Sequence, residues 1–460
     1  MGCGASIYAV GKRKKKTNIP EVVVYVPSMR IPAQSDLQRP LRGLIPHDLA
    51  DRLGCLRNQI VLVAEDTGEI GKGHIVSGNC AFLLLKGIFE FLYFENGVGN
   101  LIATQIVVDA GGSAVAELRR ALEEYLPLLI GLTKKEHGLE DLVEFRWKNL
   151  EDGRPQENSV ANSWFELLSV IHMLAMLHLS EANSLMIPKD HSGSGIRVVS
   201  SDCKRDSVDL LLKASGCLVF CVHEIMAHLP PDIKKKFSRD FQDGALEAIS
   251  IQALGQGTEI QLGLAVESQK ASLSVKRRLA CEQLIYFGQA YHFLSESGMS
   301  NMHGKKHLCF IKWKFLEAKA AAYYYHGLIL DKGTEPACHV TAVCCFLAAD
   351  GLLSESKKAC FTFCLTAPVT RSPPLWGAMK HLTQKIPEVA ARKSQMYGYL
   401  LEEEKALQAL PDLPDFQLSL VPDDYILPEI DSAWDRSKWE IQSQPLKEHL
   451  EDSEDEAETE

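Results

Sequence analysis

The chain has 460 residues, 46% hydrophobic and 24% charged, an ordinary globular composition that can bury a sizeable core. Its net charge of -11, much of it in the last ten residues, argues against nucleic acid as the main partner, because phosphate contacts need a basic face. Thirteen cysteines, an odd number with many in apolar helical runs (Cys217, Cys221, Cys281, Cys344, Cys345), and no secretory signal peptide point to free thiols in a reducing cytosol.

The chain opens MGCGAS. Gly2 follows the initiator Met and Ser6 completes the Met-Gly-x-x-x-Ser pattern of N-myristoylation. Cys3 stands where a palmitoyl chain could be added, and Lys12, Arg13, Lys14, Lys15 and Lys16 follow. One myristoyl chain holds only marginally, so stable anchoring takes a second signal. The second acyl chain and the basic cluster, which suits anionic headgroups, are both candidates. Residues 1–20 therefore read as a lipidated, basic membrane anchor.

Residues 21–26 and 59–65 carry β-branched runs bounded by turn residues and are expected as strands. Residues 81–95 (AFLLLKGIFEFLYFE) suit a buried strand pair or a helix equally, and 96–99 a turn. From about residue 112 the pattern turns helical. A helix is expected over 114–132, a short strand over 142–150 and a polar loop over 152–162. Ser163 and Glu166 form a capping-box signature for a helix running to about Asn183. Residues 163–182 come nearest to a membrane span, but Glu166, His172, His178 and Glu181 interrupt them.

A Gly/Ser loop follows over 190–201, then helices over 205–228, stopped by Pro230 and Pro231, and over 243–267. Leu273–Glu296 reads as a long helix with two apolar faces. Leu273, Ala280, Leu284, Phe287, Tyr291 and Leu294 fall in one stripe under ~90° wide. Val275, Leu279 and Tyr286 fall within ~40° of one another on roughly the opposite side. That second face is either covered within the chain or kept for a partner. Further helices are expected over 307–330 and from Thr334 as cap, with Pro336 in the first turn, to Asp350-Gly351, where another begins near Ser354. Long helices with short loops and no fixed period indicate an α-solenoid-like array. Residues 410–429 are Pro/Asp-rich and expected to run extended along the helical body. A domain over 21–430 is followed by a polar, acidic, disordered tail over 431–460.

The chemistry-bearing motifs are weak. His223 and His228 are five apart, ~140° around a helix, whereas a zinc-protease pair is four apart. Cys217/Cys221 and Cys360/Cys364 are pairs four apart amid apolar neighbours, which favours buried thiols over a four-thiolate site. Gly255-Gln256-Gly257 lacks the third glycine of a dinucleotide loop. No nucleophile turn is recognisable, so no enzyme, metal or cofactor is expected.

In succession, residues 143–153 (VEFRWKNLEDG), 163–182 (SWFELLSVIHMLAMLHLSEA), 206–223, 284–294 (LIYFGQAYHFL) and 313–330 (WKFLEAKAAAYYYHGLIL) resemble the Bro-one (BRO) domain family of endosomal sorting. The likeness spans roughly 108–429 and is greatest to short, Brox-like plant-type members. It implies a mainly α, curved, banana-shaped helical array with a tetratricopeptide-like core and a small N-terminal β-sheet. It also implies a non-enzymatic adaptor that takes the C-terminal amphipathic helix of an ESCRT-III subunit into an apolar groove. Aligned through Tyr286–Gly288, the family's groove aliphatics fall on Val275 and Leu279, with Tyr286 on the same face. Leu262 matches the groove's aromatic position, or Gln261 if one residue is gapped. Arg277 and Arg278 could steer an acidic peptide, although singly they fit a solvated face better. The chain departs from the family in lacking a proline-rich extension and a C-terminal prenylation box, for which the N-terminal acyl signal would substitute. The expected setting is the cytoplasmic face of endosomal or plasma membrane. The alternative is a membrane-tethered helical scaffold for a different partner.

Overall fold

The computed structural model describes residues 20–27, 30–66, 101–149, 156–190, 197–242, 244–296, 302–367, 377–403 and 410–437, with Val369, Leu375 and Trp439. Over 101–114 it describes the backbone alone. Gly2, Cys3, the basic residues 12–16, residues 81–95, the turn at 96–99 and the acidic end of the chain lie outside the described residues.

A three-stranded antiparallel sheet sits at one end of a helical array. Its strands are β1 (Ile31–Pro32), β2 (Glu144–Asn149) and β3 (Gln156–Ala161), in that order. Phe145 pairs with Val160 and Trp147 with Asn158, so Phe145, Trp147 and Val160 turn into the core while Arg146 stays half-exposed outside. This is the period-2 alternation of a half-buried strand. The strand expected over 142–150 is present. The loop expected over 152–162 instead contributes β3, whose QENSV sequence has no apolar alternation and is held by its ladder to β2.

Helix α1 (His47–Asp66) contains the run 59–65 that its β-branched residues had marked as a strand. Leu49, Leu53, Ile60 and Ala64 recur at helical spacing and are buried, and that stripe overrides local β propensity. Helix α2 (Leu101–Leu132) packs against α1. Helix α3 (Ser163–Leu185) is capped by Asn162, whose side chain accepts from Phe165 N at 3.1 Å, so no capping box forms at Ser163. Glu166 is committed elsewhere. Its carboxylate accepts from Arg57 Nε (2.8 Å), Trp147 Nε1 (2.6 Å) and Tyr125 OH (3.4 Å), joining α1, β2, α2 and α3 at a buried point.

Short strands β4 (Lys189–Asp190) and β5 (Arg197–Val198) pair within the expected Gly/Ser loop. Helix α4 (Ser201–Phe220) follows, continued by a π turn (Cys221–Ile225) to His228. Then come α5 (Ala245–Glu267), α6 (Leu273–Glu296), α7 (Met302–Leu330), α8 (Pro336–Leu365) and α9 (Gly377–Met396). From α5 to α9 each packs on the next, α8 on α9 included, and α5 also touches α4 and α9. That nearest-neighbour stacking is the solenoid-like array the sequence predicts. The break expected at Asp350-Gly351 is absent. Ala342, Phe346, Ala349 and Leu353 carry one buried stripe through it, and the N-cap position of α8 falls on Glu335, without a side-chain cap bond, rather than on Thr334. By length and composition Ser163–Leu185, Ser201–His228 and Pro336–Leu365 could cross a membrane. The first is apolar all round because nearly all of it is buried in the array.

Residues 21–26 are extended but join no strand. Glu21 N donates to Met186 O (2.6 Å), and Val24 N to Asn183 Oδ1 (2.9 Å). Gln256 and Gln252 donate to Val23 O and Tyr25 O, each at 2.8 Å. Helix side chains supply the partners a sheet would have given. Tyr25 stacks on Phe310 and His307, so this segment ties α3 and α5 to α7.

At the other end of the chain, residues 410–431 run extended as a strap. Asp423 N donates to Leu212 O (3.2 Å) and Asp431 N to Pro127 O (3.1 Å). Packing does not stop at residue 430. Trp434 is 3% exposed against α2, and its Nε1 donates to Leu128 O at 3.0 Å.

Candidate functional site

Helix α6 spans the residues read from sequence, and its core stripe holds. Ala280, Phe287 and Leu294 are buried, Leu273 and Leu284 are half-buried, and only Tyr291 turns outward. The opposite face has two different fates along its length. Along its middle, from Arg278 to Tyr286, the strap lies across it. Arg278, Glu282 and Tyr286, at i, i+4 and i+8, meet Gln417, Ser419 and Leu420.

These contacts are specific. Tyr286 is 2% exposed and its OH donates to Leu420 O at 2.6 Å. Burial, reinforced by the Glu282 charge, pushes its phenol up to about 12. Glu282 is fully buried and accepts from Arg278 Nε (2.7 Å), Ser419 N (3.0 Å) and the Ser419 hydroxyl. Leu413 and Phe416 of the strap pack on the same cluster as Leu279. Arg277 lies beside the Phe416 ring and donates to His326 Nδ1 at 3.3 Å. Burial first, then the Arg277 charge, lowers the His326 pKa.

The predicted site residues are therefore not all on one open surface. Val275 is 46% exposed and Leu279 half-buried, one turn apart toward the N-terminus of α6. Tyr286 is closed by the strap. Leu262 is 1% exposed and belongs to the core cluster shared by α5, α6, α7, α8 and α9, so it cannot line an open pocket as expected. Its neighbour Gln261 is half-exposed. Arg277 and Arg278 are engaged by the chain itself, which corrects their reading as free steering charges. Sequence reasoning missed Glu282 and Ser419. They lie 137 residues apart, and no periodicity signals such a pair.

The cysteine and histidine pairs are likewise placed. Cys217 and Cys221 are buried in the core cluster of α3 and α4, and burial pushes the Cys217 thiol up to about 12. Cys360 and Cys364 belong to a separate cluster around Phe310 and Trp313. His228 stacks on Trp164 at 4.0 Å and bonds Glu224 O. Among the described residues no group of three or more His, Cys, Asp or Glu side chains is placed to hold a metal.

No sequence-family model and no curated protein sequence match the chain. Solved structures do. ALIX in complex with the SIVmac239 PYKEVTEDL late domain is similar with a TM-score of 0.55 and 13% identity over 90% of this chain, which spans 51% of that one. The ALIX BRO1–CHMP4C complex gives a TM-score of 0.58 and 14% identity, covering 90% of this chain and 100% of that one. A structure described as the basis for endosomal targeting by the Bro1 domain gives 0.51 and 12%, covering 92% and 97%. Such identities speak for the fold. With its helical array, its small antiparallel sheet and this likeness over nine-tenths of its length, the chain has the fold of a Bro1 domain.

Proposed function

We propose that this chain is a non-enzymatic, membrane-anchored adaptor that binds the C-terminal amphipathic helix of an ESCRT-III subunit in endosomal sorting. The observation that carries the reading is Val275, an apolar side chain left 46% exposed one turn from half-buried Leu279, on the face of α6 whose neighbouring stretch the strap covers. An amphipathic helix reads such a surface with i, i+3 and i+4 apolar anchors. The ALIX BRO1 structure that this fold resembles is a complex with CHMP4C. Val275 and Leu279 are the contact residues, and Leu262 and Tyr286 support them from beneath and from the strap side.

Titration calorimetry of the chain with a CHMP4-type C-terminal helix tests this. Wild type should bind at micromolar levels, and Val275→Asp, which disturbs no core contact, should weaken binding at least about tenfold. Equal affinity in wild type and Val275→Asp would refute the groove. Closure of Tyr286 and burial of Leu262 favour one other reading, a membrane-tethered scaffold whose client is a different helix. Absence of binding by folded wild type would select it.

The N-terminal half of the proposal rests on Gly2, Cys3 and the basic residues 12–16. Myristate on Gly2, with palmitate on Cys3 or the basic cluster as second signal, would hold the adaptor on endosomal or plasma membrane. Gly2→Ala should move the protein into the soluble fraction. Unchanged membrane association would exclude the acyl anchor.

A further inference from the structure

A cavity of about 270 Å³ lies between α5, α7, α8, α9 and the N-terminal extended segment, away from the strap face of α6. We propose that it binds an organic ammonium group carried on an apolar stem. The argument is independent of the helix-binding proposal.

The cavity has a charged floor and an apolar rim. On the floor, Lys314 Nζ donates to Glu259 Oε1 (2.8 Å) and Glu317 Oε2 (3.1 Å). Trp313 Nε1 donates to Glu317 Oε1 (2.8 Å). Both oxygens of Glu317 are thus satisfied. Glu259 is more than nine-tenths buried, lines the cavity, and its Oε2 has no hydrogen-bond partner. One ammonium between two carboxylates leaves a buried excess of one negative charge. Burying an unmatched carboxylate oxygen is costly, and a donor that pairs with it recovers the loss. Burial, opposed by Lys314 and assisted by Glu317, holds the Glu259 carboxyl above its ordinary range.

The chain's other charges at the cavity do not fill this role. Glu21 on the wall is matched by Lys204 at 3.0 Å, and Lys357 on the rim is exposed to water. A cationic donor entering from outside completes the set once the Glu259 carboxylate, whose Oε2 is itself closed to solvent, turns toward it. The rim says what carries it. Phe361 is 64% exposed and Leu375 52% exposed, and both line the cavity. Large apolar side chains around a carboxylate floor fit an alkyl or aryl stem ending in an ammonium. A bare metal ion would find only one free oxygen there. Two sources share this chemistry, a lysine side chain of a partner and a free alkyl amine.

Titration of the full chain with n-hexylamine and n-hexanol, followed by NMR or calorimetry, tests the assignment. Hexylamine should saturate at one site and bind at least about tenfold tighter than hexanol, since only the amine makes a charge-assisted bond to Glu259. Glu259→Gln should remove that difference. Phe361→Ala, which changes only an exposed rim residue, should weaken hexylamine whether or not Glu259→Gln folds. Equal binding of amine and alcohol, or unchanged hexylamine affinity in Phe361→Ala or in folded Glu259→Gln, would overturn the proposal and leave a hydrated packing defect. In separate titrations, tighter binding of Nα-acetyl-lysine amide than of spermidine supports a partner's lysine as the occupant. The reverse order supports a free amine.

Discussion

Gly131 near the end of α2 sits so close to Trp434 that one methyl group decides whether residues 431–439 stay docked. A Cβ at Gly131 would fall under 3.0 Å from three atoms of the indole. Helix propensity alone says that Gly131→Ala should stabilise by ~1 kcal/mol. The contact says the opposite. A buried tryptophan removes ~150–250 Å² from water, worth about 4–6 kcal/mol at ~25 cal/mol/Å² as an upper bound. The hydrogen bond from Trp434 Nε1 to Leu128 O adds ~1 kcal/mol. The segment can shift and regain part of this contact, so we expect a net loss of about 2–4 kcal/mol. Urea unfolding followed by circular dichroism measures it, with Gly351→Ala as control. Gly351 lies in α8 with nothing within 4 Å of its Cβ, so there the ~1 kcal/mol gain should appear. If Gly131→Ala is as stable as wild type while the control behaves as expected, the docking of Trp434 is wrong.

Gly216→Ala would place a Cβ under 3.0 Å from Asp423 O, lifting the strap off α4. Limited proteolysis should then cut residues 410–430 faster, and unchanged protection would contradict the close approach. Glu166→Ala strands the buried guanidinium of Arg57 and should cost ~3–5 kcal/mol in denaturant unfolding; a loss below ~1 kcal/mol would show that the junction is incidental. Burial lowers the pKa of His172 to about 4 and of His307 to about 3. Both are neutral in the fold and titrate near ~6.5 when unfolded. The unfolded chain therefore binds more protons below that pH, so their contribution is complete above ~6.5 and is lost as pH falls toward 4 and 3. His172→Phe, which removes two unpartnered ring nitrogens, should flatten the stability slope between pH 6.5 and 4. An unchanged slope would place the titration elsewhere.

The candidate site was half legible. The opposing faces of α6, with Val275 and Leu279 on the second, follow from spacing, and the resemblance implied a groove role for those two. What the periodicity of α6 leaves open is which part of that face another segment covers. Tyr286 closes because Leu420 arrives from 134 residues away, and Leu262 sinks because α6 and α9 pack on α5. The carboxylate Glu259 and the ammonium Lys314 are 55 residues apart, each unremarkable alone.

From its sequence alone, the helices from α2 to α7 could be read, whereas α1 was taken in part for a strand, α8 for two helices, and α9 was not foreseen. Leu273–Glu296 and the strand Glu144–Asn149 follow from local period, and Pro230 and Pro231 from the missing amide donor. These are properties of a few consecutive residues. Tertiary structure decided the rest. The β-branched run 59–65 became helix because its neighbours demanded a helical stripe. Residues 21–26 stay out of a sheet because Asn183, Gln252 and Gln256 bond their backbone instead. Glu166 left its cap to meet Arg57, and Trp434 turned the start of an apparent tail into part of the body. In each case the burial of one segment depends on another far along the chain, and that distance is closed only by folding.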